Sequence, residues 1–599
     1  MRITRLCRGI RHVLLGASLV APIAAAAQPT YLDQGSAWTD TARQQFYTQD
    51  QGSTMIPMAW FRALKTPDGQ PFLADQLARF GYLPNPNVSN GLPIGFTEAT
   101  WKGTNYAGMT CAACHTRDIT ANGQTYRVDG GPALSDFQGL LTEMVDGIGK
   151  VLATNASFRT FAIDVLGTPN PTTKQINTLK SAVQTWYTRE NAMKKGAYNT
   201  PNMWGLGRLD AVSMILNRVA GLDLGKAPTY VIEANIAPAD APVRYPFLWN
   251  AAFQDKTQWP GFAPNGSDFF GLIRNTGEVY GVFATFHPEK KALGLYIDYT
   301  TNNSANFKGL VALEDLIDKI GPPRWPWPVS EADKALAAKG DEVFNRDMPG
   351  GSCASCHDGA NPSKVPFAPK GQTIYGTPLI DVGTDTHEHD ILDRRIRTAG
   401  VLDNRAVLEF FMKFKPCAPN APLKDCPTAF SLLSLTVANS ILWSGAYKPT
   451  LFPGADVTAP PATIKPSDEL RDNLLNGFGE KDKQDKKPKP AGAFYESRVL
   501  AGIWAAAPYL HNGSVATLAD LLTPEDQRPA SFNMGPAYDV VNVGIDVNQP
   551  SKYVRTTTDC TKGVKGKGIN SGDSRCGHNF GTTLSPDDKA ALLMYLRML

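Results

Sequence analysis

Apolar residues recur at helical spacing in two stretches of the first third of the chain. Between Asp136 and Leu152, the residues Phe137, Leu140, Leu141, Met144, Ile148, Val151 and Leu152 fall on one face, and Ser135 stands where an N-cap belongs. A second stripe of Ile176, Leu179, Val183 and Trp186 predicts a helix over about Thr173 to Glu190. Stripes of this kind pack a core more often than they hold a cofactor. Further along, Ser330 and Asp333 form a capping pair for a helix reaching Phe344. The chain closes on Ser585, Pro586 at the first helical position, Asp588, and then Leu592, Leu593, Leu596 and Leu599. Strand-like alternation is sparse, and Gly and Pro are abundant at 53 and 45 of 599 residues. The pattern predicts a mostly α fold with extensive coil.

The first residues read differently. Arg2, Arg5, Arg8 and Arg11 precede an apolar, small-residue run from Val13 to Ala27 that ends in an A-x-A type site. Residues 1–27 are therefore expected to be a signal peptide, and the protein to be exported to the periplasm or beyond the cell. The formal charge of +3 then becomes −1, because four arginines leave and no acid does. Such a balance gives no reason to expect nucleic acid as a partner. No later apolar run approaches membrane-spanning length.

Cysteine usage supplies the chemistry. Of nine cysteines, four lie in two Cys-x-x-Cys-His runs, Cys111–Cys114–His115 and Cys353–Cys356–His357. In a chain this poor in Cys and His, two such runs point to two covalently attached c-type haems, each with the adjacent histidine placed to ligate iron. A zinc site needs a second Cys/His pair nearby, and neither run has one. Cys7 leaves with the expected signal peptide, so Cys417, Cys426, Cys560 and Cys576 remain, and the local pairings Cys417–Cys426 and Cys560–Cys576 are favoured for an oxidising compartment. The helix before the second run and the helix at the C-terminus have the layout of a cytochrome c-type domain. With a boundary at 321–336, where prolines end the preceding structure, two haem domains are expected, 28–325 and 326–599.

A haem that reacts with O₂ or peroxide needs a displaceable sixth position, whereas an electron-transfer haem is filled on both sides. Histidine is scarce enough to count. After His115 no histidine follows for 171 residues, leaving Met109, Met144, Met203 and Met214 as alternatives. The N-terminal haem is thus the candidate for the open, reactive site. For the second haem, His511 and His578 are both available as sixth ligand. His387 and His389, in an acidic, turn-forming stretch, are expected on a solvated loop.

The segment Glu496 to Leu522, with Pro508-Tyr509-Leu510-His511-Asn512-Gly513-Ser514 at its centre, resembles the corresponding part of the bacterial di-haem peroxidase and MauG superfamily. Two departures set the chain apart from ordinary di-haem peroxidases: the motif histidines lie 242 residues apart, and the histidine those enzymes place soon after the first motif is missing. The stretches 199–212, 246–261, 274–283 and 577–585 look closer to RoxA-type rubber oxygenases. That resemblance implies that His115 is the sole protein ligand of haem 1, that His357 and His578 ligate haem 2, and that His511 is a neighbour of haem 2. It also implies O₂-dependent cleavage of C=C bonds in polyisoprene or a similar apolar alkene at the N-terminal haem.

An aromatic pocket over that haem suits a substrate with no charged handle. Trp249, Trp259, Phe270, Phe283 and Phe286 are the candidates, with packing as their other reading. Trp259, Phe283 and Glu278 are carried forward as the catalytic pocket of haem 1. Glu278 as an acid/base group would instead favour H₂O₂ chemistry, with a small redox protein as electron donor. A non-catalytic electron-transfer cytochrome is the third reading.

Overall fold

The computed structural model describes residues 28–599 apart from 201, 292–295, 349, 360–361, 366–371, 404–416, 418–420 and 445–492. The expected signal peptide lies outside the described residues. Among the described residues, no helix is long and apolar enough to cross a membrane.

Helices form largely where the periodicity places them. Phe137–Leu152 buries Phe137, Leu140, Leu141, Met144 and Ile148. Its N-cap is Asp136 rather than Ser135, because the Asp136 carboxylate accepts from the amide of Gly139. Thr173–Met193 starts from a capping box between Thr172 and Gln175, and Glu331–Asn345 from one between Ser330 and Asp333. The last helix, Pro586–Met598, lies against Glu331–Asn345, with Phe344 and Tyr595 ring to ring at 5.3 Å.

The expectation of a mostly α chain built as two cytochrome c-type haem domains is corrected. Among the described residues the fold is 38% helix and 15% strand, and its strands form many small sheets. Two hairpins frame the first Cys-x-x-Cys-His run. Phe96–Trp101 pairs antiparallel with Thr104–Met109, and Thr116–Ala121 with Gln124–Asp129. Their two-residue turns, Lys102-Gly103 and Asn122-Gly123, have positive φ at both positions, which matches the right-handed twist of the flanking strands. Asn-Gly between alternating residues is a strong hairpin signal, and periodicity counted over helical windows passes over it.

The largest core cluster also crosses the expected boundary. It joins Val128, Trp249 and Leu313 to Phe344, Trp504 and Leu592, so the two halves share one interior.

Close packing and polar bonds fix the first motif in its corner. Gly95 (φ +77°) lies so near the motif turn that a Cβ there would meet the Ala113 amide nitrogen at 1.9 Å. The hairpin after the motif ends on buried Asp129. That carboxylate accepts from Arg43 Nε at 2.7 Å, from Trp38 Nε1 at 2.8 Å and from the Tyr47 hydroxyl. A buried charge is tolerable only when its partners are this complete, and here they tie the Asp40–Thr48 helix to the sheet.

Candidate functional site

The first motif occupies a 3₁₀ turn, Cys111–Ala113, between the two hairpins. Cys111 and Cys114 are free thiols. Burial pushes both upward; the charge of Glu278 is the next cause at Cys111 and adds to the rise at Cys114. The His115 ring lies 2.8 Å through Nδ1 from the carbonyl of Pro246. A carbonyl only accepts, so Nδ1 carries the hydrogen and Nε2 is left with a bare lone pair, as a metal-ligating histidine needs. Burial pushes His115 down to about 4, which keeps the ring neutral at pH 7, and the bond to Pro246 partly offsets that fall. Its ring neighbour among the described residues is Tyr245, edge-on at 6.1 Å, whose hydroxyl bonds the Cys114 thiol.

Glu278 and Phe283 stay on this side of the molecule. Glu278 sits near the end of the Asp268–Gly281 helix, accepts from Gln258 Nε2 at 2.6 Å and lies 3.7 Å from Arg274. Its side chain keeps 37% of its surface, yet burial is the largest cause of its rise to about 7, ahead of the downward pull of Arg274. The two observations agree because that surface faces an apolar cavity of about 50 Å³ lined by Val212, Ile273, Phe430 and Val437. A single water needs roughly 10–15 Å³ in the same measure, so the space admits only a few.

Phe283 belongs to the same core cluster as Met109 and Ala113. Its φ of +77° is strained for a bulky residue. The ring is gripped by Phe137 at 6.1 Å and by the Arg218 guanidinium at 4.4 Å. Met109, Met144 and Met214 are buried in this cluster, and Met203 is on the surface.

The second motif opens on the short helix Ala354–His357. Here Nδ1 of His357 donates to the carbonyl of Arg498 at 2.7 Å, leaving Nε2 bare in the same way. His578 stands opposite, with ring centroids 6.2 Å apart. Two imidazoles on opposite sides of one metal ion, at ~2 Å per metal–nitrogen bond, have centroids about 6 Å apart.

His578 is held against strain, at φ +51°. Buried Arg528 donates to the carbonyls of Arg575, Gly577 and His578 at 2.7, 2.8 and 3.2 Å. Two residues upstream, Cys576 is bonded to Cys560, and Cys417 is bonded to Cys426. Burial first, then the neighbouring His357, pushes His578 down to about 3.

Between the two rings lies an apolar cavity of about 190 Å³ whose walls include Cys353, Cys356, Leu592 and Phe580. That is many waters' worth of space behind a mainly apolar wall. Paired thiols, an oriented imidazole and a mainly apolar space fit a covalently held haem c, with Cys353, Cys356, His357 and His578 as its contacts. The first motif offers the same thiol pair and the same oriented imidazole through Cys111, Cys114 and His115.

Trp259 is a correction. It lines the cavity of the second motif, not the surroundings of Glu278 and Phe283, because its Nε1 donates to the Arg244 carbonyl and its own carbonyl holds the amide of Glu496. His511 lines that cavity too, stacked on Tyr495 at 3.9 Å and 6.5 Å from Trp259. Burial, then the Arg244 charge, pushes it down to about 3.

The DTHEHD stretch is likewise corrected. Residues His387–Ile391 form a short helix in which His387 and Glu388 are buried, and His387 Nε2 lies 2.9 Å from Asp240. Glu525 lies beside Cys560 and Cys576, but both sulfurs are committed to the disulfide.

Residues 494–533 match the RoxA-like, cytochrome c-like family model. A cytochrome c-like segment implies haem c as cofactor, and this one contains Tyr495, Arg498 and His511 of the second cavity. Over 628 aligned residues the chain is 29% identical to uncharacterized protein y4iJ of Sinorhizobium fredii (strain NBRC 101917 / NGR234), covering 95% of this chain and 93% of that protein. It is also 29% identical to uncharacterized protein y4iM of the same organism over 301 residues, half of this chain and 48% of that protein. The RoxA-like segment fits a haem oxidoreductase.

Sequence reasoning missed Pro246, Tyr245, Arg498 and Arg528. The first three flank or lie in stretches that carry the family resemblance, but nothing in their identity announces that a backbone carbonyl there orients a histidine.

Proposed function

We propose that this protein is an exported di-haem c oxygenase that cleaves C=C bonds of polyisoprene or a similar apolar alkene with O₂ at the His115 site. The observation that carries the reading is the inequality of the two motif histidines. His357 faces a second imidazole at 6.2 Å, whereas among the described residues no histidine ring faces His115. Of the others, His287 is stacked on Tyr230, His387 is paired with Asp240, His389 lies on the same short helix as His387, and His511 is stacked on Tyr495.

Haem bound at Cys111, Cys114 and His115 would supply the redox chemistry that activates O₂. The chain's own residues do the rest. Pro246 fixes the ring of His115, and burial keeps that ring neutral. Phe283 and the buried methionines exclude water and offer an apolar wall. His357 and His578 close the other site on both sides, which suits electron storage over ligand binding.

Incubating the purified protein with polyisoprene latex under O₂, without peroxide, should release carbonyl-terminated oligomers. Absence of product would count against the reading.

Glu278 supports a second reading. A carboxyl held near 7 beside an apolar cavity is poised to move a proton at neutral pH, as peroxide cleavage requires. Under that reading, H₂O₂ with a small reduced redox protein gives steady turnover, and latex with O₂ gives none.

A further inference from the structure

The two motif histidines are tied to one another. His115 donates from Nδ1 to the carbonyl of Pro246. The next residue, Phe247, offers its carbonyl to Nη2 of Arg498 at 2.7 Å. The backbone carbonyl of that same arginine accepts from Nδ1 of His357 at 2.7 Å. Arg498 thus takes part in fixing one ring through its side chain and the other through its main chain. Its guanidinium lies over the Phe247 ring at 4.3 Å and pairs with Glu496 at 2.8 Å, and the residue is 5% exposed. Packing alone does not ask for this, because burying an ion pair costs desolvation that a well-packed apolar side chain avoids.

We propose that Arg498 is a positioning residue shared by the two sites, holding both motif histidines in one rigid unit so that a change at either site is transmitted to the other. The inference rests on the reading that each motif holds a haem. It requires arginine specifically. The planar fork directs one N–H at Glu496 and another at the Phe247 carbonyl at a fixed angle, which a lysine ammonium cannot do at once.

The same bonds make a continuous covalent and hydrogen-bonded route from ring to ring. With a haem at each motif, one electron passing along it would oxidise the iron at one end by one unit and reduce the other by one unit. Every hydrogen on the route stays on its donor.

The test uses the full chain with its haems, starting with haem content by mass. Fewer than two haems per wild-type chain would sink the di-haem reading rather than this proposal. Redox titration then compares wild type, Arg498→Lys and Arg324→Lys. Arg498→Lys should shift both midpoint potentials and slow electron equilibration between the haems by about tenfold or more, in the range seen when outer partners of metal ligands are lost. Arg324→Lys makes the same exchange at an exposed arginine paired with Asp33 and should stay close to wild type in both respects. A shift confined to the His357 haem, or an equal effect from Arg324→Lys, would overturn the proposal.

Should Arg498→Lys fail to fold, the wild-type protein still decides. Reducing one haem should move the Nδ1–H resonances of both His115 and His357, and a response confined to the reduced site would contradict it.

Discussion

The two Cys-x-x-Cys-His runs are alike on the near side and different on the far side. Each presents two free thiols and a histidine whose Nδ1 is spent on a backbone carbonyl, Pro246 for one and Arg498 for the other. Beyond the ring the likeness ends. His357 looks across an apolar cavity at His578, which sits on a loop clamped by Arg528 and by the Cys560–Cys576 bridge. His115 has Tyr245 edge-on beside it, with Phe283 and Glu278 in the surrounding structure. On the proposed reading, a five-residue motif specifies where a haem is attached, and residues distant in the chain specify its reactivity.

That contrast is broken most severely at His115. Replacing it with alanine should lower oxygenase turnover by more than about 100-fold, beyond the loss typical of removing an outer-shell partner, measured as product released per haem. His578→Ala should leave the first site intact and open the second. The absorption spectrum should then change from one six-coordinate low-spin haem to none, and an unchanged spectrum would remove His578 as a ligand.

A milder change loosens the loop without touching a ligand. Cys560→Ser with Cys576→Ser opens a loop of sequence separation 16. By chain entropy this costs about 3 kcal/mol of stability, read by urea titration, with a partial rise in high-spin signal at the second site only.

The smallest effect is expected at Glu278. Between its ordinary value near 4.5 and about 7, the folded chain holds a proton that the unfolded chain has released. Stability therefore falls as pH rises through that window. Glu278→Gln should flatten both that slope and any inflection near pH 7 in turnover, and a pH profile unchanged by the substitution would remove the residue from the chemistry.

How much of this is legible in the sequence depends on where the signal lies. The helices at 137–152, 331–345 and 586–598 carry their own caps and stripes, and they form nearly as read. The hairpins at 96–109 and 116–129 are signalled only by their turn residues, and helical windows average such signals away. The thiol pairs and their histidines are evident from spacing.

The partner of His357 is not evident in that way, because His511 and His578 are both histidines downstream of the motif. Spacing does not separate them; the family resemblance implies His578, and the fold stacks His511 on Tyr495 and brings His578 across the cavity. Trp259 shows the converse error. An aromatic in a promising stretch is assigned to the first motif, yet its backbone bond to Glu496 delivers it to the second, which is also the nearer of the two in the chain.

The central claim is that one attached haem has a free face and the other has none. Carbon monoxide uptake by the fully reduced protein, with haem content measured on the same sample, tests it directly. The account predicts one carbon monoxide bound for every two haems. Uptake of two, or of none, would contradict it.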